Sequence, residues 1–260
     1  MSRIVTLSRF FAKSMIREKA SYLFGVLAVA ILVVSLGLSG TDIGFRYKLF
    51  EDILLTSQGY FFIVAALFYA FMALSRERNL GIFVLPLANG MRRCEYLLAL
   101  MFSLVWIISI LFALFFLLDM LFLYGVEGTI YPPVLWQLFL YYLVACMVAF
   151  LIVSLSHYVS LTNAVLYALA FFLIGNALDE LYLYAWFMTD SPFLQQLSSV
   201  LYYLLPNFSL FDLQGIVVNR HGADIWQAVG LPLAYFTVWS ALLYGLAWVR
   251  FRKKALSVGS

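Results

Sequence analysis

Between Tyr96 and Tyr124 lie 29 residues that carry one charge, Asp119. As an α-helix such a run is ~43 Å long, against a bilayer hydrocarbon core of ~30 Å. Five further apolar runs repeat the pattern, at about Tyr22–Ser39, Gly59–Leu74, Val134–Leu155, Asn163–Leu181 and Val229–Val249. With 65% hydrophobic and 11% charged residues, the chain departs from soluble domains, which hold roughly 45–50% apolar and about 25% charged residues. The runs are continuous rather than short alternating segments, so helices are predicted and a β-barrel is not. The fold class expected is all-α: a polytopic membrane protein with six transmembrane helices, forming one domain over residues 1–260.

Lys and Arg near span ends resist translocation and so set orientation. With the N-terminus on the cytoplasmic side, that side collects 13 of the 16 Lys and Arg, including Arg3, Arg9, Lys13, Arg76, Arg78, Arg92, Arg93 and Arg250. Arg46, Lys48 and Arg220 are left on the other. This asymmetry predicts an even number of spans with both termini cytoplasmic. It also accounts for the net charge of +3 without a basic groove, so nucleic acid is not an expected partner. Cys94 and Cys146 fall at the mouth of the third run and within the fourth; neither has metal-ligand spacing, and a disulfide between them is not expected.

Before the first span, Ile4, Leu7, Phe10, Phe11 and Met15 recur at helical spacing among Arg3, Arg9, Lys13 and Arg17. Residues 1–20 are therefore expected as an interfacial amphipathic helix, the alternative being a solvated basic leader. A short amphipathic helix is expected ahead of the second span, within Thr41–Gln58. From Tyr182 to Gln227 the chain is expected to stay outside. Its SPFLQQLSSVLYYLLPNFSLFDLQG stretch is apolar enough to re-enter the membrane but is broken by Pro206, and such backbone is tolerated only where protein or a water-filled cavity covers it. Short outer re-entrant helices meeting at Pro206-Asn207 are predicted there, between spans five and six.

The connection Ser75–Leu98 concentrates Arg76, Glu77, Arg78, Arg92, Arg93 and Glu95 between two apolar runs. Its centre, Gly81 to Leu87, is short and apolar, which suits a helix lying on the membrane surface or pressed into a partner. Two segments then carry a family resemblance. Glu77, Arg78 and Gly81, followed by Arg93, Cys94, Glu95, Tyr96 and Leu97, match the acidic residue, basic turn and Ser-Arg-x-Glu-Tyr-Leu-like opening of the third span in the six-span permeases of type-2 ABC transporters. Leu205, Pro206, Asn207 and Phe208, with Phe211, Asp212 and Leu213 after them, resemble the same family's outer Leu-Pro-Asn segment. The branch most resembled is the multi-copper enzyme maturation group, which includes the nitrous-oxide-reductase maturation permease. One departure is that Gly90 stands where the family usually has Pro, and the nearest Pro is Pro86.

The resemblance implies that residues 75–95 form a cytoplasmic coupling loop, in which Arg76, Glu77, Arg78, Gly81, Ile82, Phe83, Arg93 and Glu95 engage a separate ABC-type ATP-binding subunit. It further implies pairing with a second copy or a related permease, export as the direction, and a bacterial cytoplasmic (inner) membrane. No GxxxxGK[ST] phosphate loop occurs in the chain, so ATP and Mg are expected on the partner, and neither a cofactor nor enzymatic activity is expected here.

Polar residues inside the runs are the candidates for a transport path or gate: Asp119, Asn163, Asn176, Pro206 and Asn207. Asp119 either faces protein or a water-filled path, or is carried into the headgroups by a protruding third helix. Asn163 and Asn176 either touch cargo or bond neighbouring helices. Two other classes compete with the permease. Gly37-Leu38-Ser39-Gly40 resembles the nucleophile motif of rhomboid proteases, but Ser39 and the available base, His157, fall at opposite ends of their spans, and an acting pair needs ~3 Å. A stand-alone transporter is expected to show inverted repeats and Gly/Pro-broken spans in both halves, which are not evident. His157, His221 and eight dispersed Met residues form no soft-ligand cluster, so no metal site is predicted.

Overall fold

The 29-residue run forms the middle of one unbroken helix. The structure is a computed structural model that describes residues 2–18, 22, 24–30, 33, 46–80, 86, 90–127, 132–188, 191–213 and 226–253. Every described element is helical: α1 Ser2–Ile16, α2 Arg46–Leu80, α3 Arg93–Glu127, α4 Pro132–Ser156, α5 Leu161–Asn176, α6 Leu178–Phe187, α7 Pro192–Leu204 and α8 Leu231–Lys253, with a π-turn at Trp226–Gly230 leading into α8. Four stretches among the described residues are long and apolar enough to cross a membrane: Asp52–Arg78, Arg93–Leu121, Pro132–Ser156 and Ala228–Arg252. The bent pair α5 and α6 makes a fifth if counted as one. The protein is therefore all-helical and membrane-embedded. Half of the expected first span lies outside the described residues; within it, residues 24–30 are helical, and Phe24 packs on α2 through Phe61, Phe68 and Tyr69.

α4 is the centre of the bundle. Of its apolar stretch 78% is buried within the protein, against 11% for α8, so α8 lies at the periphery. Pro132 opens α4 at the first helical position, where a missing N–H costs nothing. The loop between α4 and α5 is short, and Ser160 caps α5 by accepting the Asn163 backbone N–H at 3.3 Å. α4 and α5 are antiparallel neighbours, as so short a loop requires.

Three expectations are revised. The amphipathic helix expected before the second span is not separate: α2 runs 35 residues from Arg46 to Leu80. No proline interrupts it, and charged residues at a helix start do not by themselves end a helix. The expected fifth span does not run straight through Asn163–Leu181, because the axis turns by 46° between Asn176 and Leu178. At the turn the Gly175 carbonyl accepts the backbone N–H of Phe208 at 3.0 Å, a contact with a distant segment in place of a continued helix. Finally, α1 has a protein partner on part of the face expected to meet lipid. Phe11 and Met15 are buried, with Phe11 edge-on to Tyr96 of α3 at 6.1 Å, while Phe10 stays 61% exposed.

The break leaves α6 and α7 as a hairpin joined by Tyr182 on Tyr202, with ring centroids 4.9 Å apart, and by the Trp186 indole N–H donating to Ser199 at 3.2 Å. Short helices were expected here to meet at Pro206-Asn207; the two observed instead meet between Phe187 and Pro192, and among the described residues up to Leu213 a 3-10 turn, Ser209–Phe211, follows Pro206. Pro192 starts α7, and the helix ends just before Pro206.

Candidate functional site

α2 ends, α3 begins, and α4 and α8 end at one pole of the bundle, and that pole is built by arginines. Arg76 donates to the Ser14 carbonyl at 3.3 Å and to the Ser14 hydroxyl at 2.6 Å, and it pairs with Glu18. Arg78 donates to the Ser156 carbonyl at 2.5 Å. Arg93 donates to the Phe251 carbonyl at 3.2 Å and the Arg252 carbonyl at 2.8 Å. Each acceptor lies in the last turn of a helix, in α1, α4 and α8 respectively, where carbonyls lack intrahelical donors and the helix dipole favours a cation. Three side chains of the 75–95 connection thus hold three helix C-termini.

Glu95 serves α3 itself. Its Oε2 accepts the Arg92 backbone N–H at 3.0 Å, the reciprocal half of a capping box in which the third helical residue reaches back to the N-cap. Gly90 just before it has φ +77°, a left-handed conformation that suits glycine and that proline, with φ fixed near −65°, cannot adopt. Glu77 is buried, with Tyr96 of α3 beside it. Gly81, Ile82 and Phe83 lie outside the described residues.

The five residues expected to line a path are not brought together. Asn163 is exposed at the arginine pole, 13 residues and ~20 Å along α5 from Asn176. Asp119 is fully buried between α3 and α2, where its Oδ1 accepts the side-chain N–H of Gln58 at 2.7 Å. Its carboxyl therefore faces protein. Phe61 and Phe62 pack on Phe115 beside this pair. Among the described residues, Gln58 Oε1 and Asp119 Oδ2 have no hydrogen-bond partner.

Asn176, Pro206 and Asn207 do converge, at the pole opposite the arginines. The Asn207 side-chain N–H donates to Asp179 Oδ1 at 2.8 Å, its backbone N–H to the Tyr235 hydroxyl at 2.7 Å, and its Oδ1 accepts from the Ser209 backbone at 3.0 Å. Ser209 also donates to Asp179. Gln137 of α4 holds the far side of the same segment, accepting from the Leu213 backbone at 2.5 Å and donating to the Phe211 carbonyl at 3.2 Å. Burial and the nearby Asp179 carboxylate raise the Tyr202 phenol above its ordinary value. The Leu-Pro-Asn-Phe segment is thus bonded to α4, α5, the start of α6, and α8.

Its approach depends on Gly175. A Cβ there would fall on the Pro206 carbonyl oxygen and 2.6 Å from the Phe208 ring. Beneath the segment a crevice of ≈150 Å³ opens between α2, α4 and α5, with Tyr60, Tyr141, Asn176 and Asp212 around it.

Gln58, Gln137, Gly175, Asp179 and Tyr235 were not among the expected site residues. Gln137, a glutamine inside the Val134–Leu155 run, is itself a signal, since an amide at membrane depth requires a partner; Gly175 and Tyr235 gave none. Cys94 and Cys146 are free thiols. Among the described residues no three His, Cys, Asp or Glu side chains are placed to share a metal ion. No protein-family model matches the chain, and no curated protein matches it either.

Proposed function

We propose that the chain is the membrane-spanning permease subunit of an ATP-driven ABC transporter, acting as a dimer with a second copy or a related permease. ATP is hydrolysed by a separate ATP-binding subunit that docks at the 75–95 connection. The single observation that best supports this reading is the arginine pole. Arg76, Arg78 and Arg93 flank the apolar centre of that connection and hold the ends of α1, α4 and α8. A load applied to the connection would then be delivered to several helices at once, rather than to α2 and α3 alone.

In this reading Ile82 and Phe83 fill a groove on the partner, and the surrounding charges set register and approach. On the same reading the arginine pole faces the cytoplasm, which the distribution of Lys and Arg supports, while a bacterial inner membrane and export follow from the family likeness. The test is purification of the tagged chain from its host in mild detergent, with identification of what accompanies it, beside a variant carrying Ile82→Asp and Phe83→Asp. An ATPase with a phosphate loop is expected with the wild type and is lost from the variant. Its absence from every wild-type preparation would move the reading to a stand-alone membrane transporter.

A further inference from the structure

Asp119 and Gln58 carry chemistry that neither pole of the bundle uses. Both side chains are fully buried, and the Gln58 amide N–H donates to Asp119 Oδ1 at 2.7 Å. That bond leaves two oxygens over, Gln58 Oε1 and Asp119 Oδ2, and neither has a hydrogen-bond partner among the described residues. An ionised carboxyl makes both of them acceptors with nothing to accept. The rings of Phe61, Phe62 and Phe115 pack beside the pair, and a carboxylate in such surroundings costs far more than a neutral acid. The influences on the Asp119 carboxyl are its burial and the Gln58 bond. Toward the pole opposite the arginines, the described titratable groups of the packed helices are Asp52 and Tyr60 on α2, Tyr124 on α3, and Tyr141 and Tyr142 on α4, and none of them is among those influences. Residues 24–30, which meet α2 through Phe24, carry no charge. Arg46 and Lys48 open α2 at least ten residues before Gln58, ~15 Å or more along the helix.

We propose that Asp119 and Gln58 form a proton-binding site, in which the carboxyl is held as the neutral acid. Its O–H on Oδ2 donates to Gln58 Oε1 while the Gln58 N–H donates to Oδ1, closing a ring of two hydrogen bonds. One proton then satisfies both leftover oxygens and removes the buried charge. A metal or organic cation is a poorer occupant: neither residue lines the crevice between α2, α4 and α5 or the small cavity beside Tyr96, and a proton needs no such room. The two helices joined by the 75–95 connection are α2 and α3, so a motion that parts them and admits water breaks the ring. In water an aspartic acid gives up its proton above pH ~4. Parting the helices therefore releases one proton, and closing them takes one up. The site stands on the packing of α2 against α3 and does not depend on an ATPase partner.

The test is infrared spectroscopy of the full chain at neutral pH, in a detergent without ester groups, with aspartate labelled by carbon-13 at the side-chain carboxyl. A carbonyl band of a protonated carboxylic acid is expected, moved to lower frequency by the label and absent from Asp119→Asn. Gln58→Leu should move the band to higher frequency, because the carbonyl then loses its donor. Asparagine offers an N–H where the acid has its O–H, so Asp119→Asn keeps both bonds of the ring and should unfold at the wild-type denaturant midpoint at neutral pH. As pH is raised above neutral, the wild-type midpoint should fall relative to that of Asp119→Asn, since unfolding gives up a proton that the fold holds. The proposal is overturned by a wild type with no label-sensitive acid band, by a band that persists in Asp119→Asn or stays unmoved in Gln58→Leu, or by midpoints of wild type and Asp119→Asn that run parallel across pH.

Discussion

Gln58 and Asp119 offer the most exacting check on the packing described here. Both are fully buried, joined by one hydrogen bond of 2.7 Å, and placed between α2 and α3 among phenylalanine rings. Replacing Gln58 with Leu removes the only partner that Asp119 has among the described residues and leaves its carboxyl in apolar surroundings. Leaving a buried polar group unmatched costs ~1–3 kcal/mol, and more if the group stays charged. Asp119→Val strands the Gln58 amide at a similar cost. The double variant removes both polar groups, and apolar replacement of a buried pair is close to neutral. The expected result is two single variants each destabilised by ~2 kcal/mol and a double variant less destabilised than their sum by at least ~1 kcal/mol. The assay is reversible denaturant unfolding in mixed micelles, followed by circular dichroism. Single variants within ~0.5 kcal/mol of wild type, the ordinary range for surface positions, would refute a buried, mutually dependent pair, as would strict additivity.

Further outcomes follow from the two poles. Gly175→Ala should destabilise the protein by ~2 kcal/mol or more, because the clash falls on backbone at Pro206 and not on a flexible side chain; faster hydrogen exchange confined to residues 205–213 would locate the loss. Asn207→Ala should cost ~1–3 kcal/mol by leaving Asp179 and the Ser209 backbone short of partners, measured by the same unfolding assay. Arg93→Ala should cost ~1 kcal/mol, in line with a cation at a helix C-terminus. Arg93→Lys should recover only part of it, since one ammonium lacks the fork that reaches both carbonyls; unfolding midpoints of the three proteins check this.

What could be read from the sequence alone divides along physical lines. Apolar runs such as Tyr96–Tyr124 were legible because bilayer thickness dictates their length, and so was the Pro206 break, because proline acts locally. The continuity of α2 was obscured by Arg46, Lys48, Glu51 and Asp52, because a group of charges in a sequence does not by itself end a helix. The bend after Asn176 was hidden because its cause, the backbone of Phe208, lies more than thirty residues further along the chain. The partnership of Gln58 with Asp119 spans 61 positions and leaves no local trace beyond the oddity of each residue. Arg76, Arg78 and Arg93 were legible as charges at the ends of the second and third spans; that their acceptors are the C-terminal turns of α1, α4 and α8 emerged only from the geometry. Asn163 was grouped with Asn176 by residue type alone, and the two lie at opposite poles.

The measurement that bears most directly on the central claim is photocrosslinking from within the 75–95 connection. A benzophenone amino acid placed at Phe83 in the full-length chain, activated in native membranes, is expected to capture a polypeptide containing a GxxxxGK[ST] phosphate loop, and the same probe at Tyr203 on α7 is not. Capture of lipid alone from Phe83, with no ATP-binding protein attached, would contradict the account of this connection as the docking point for a motor.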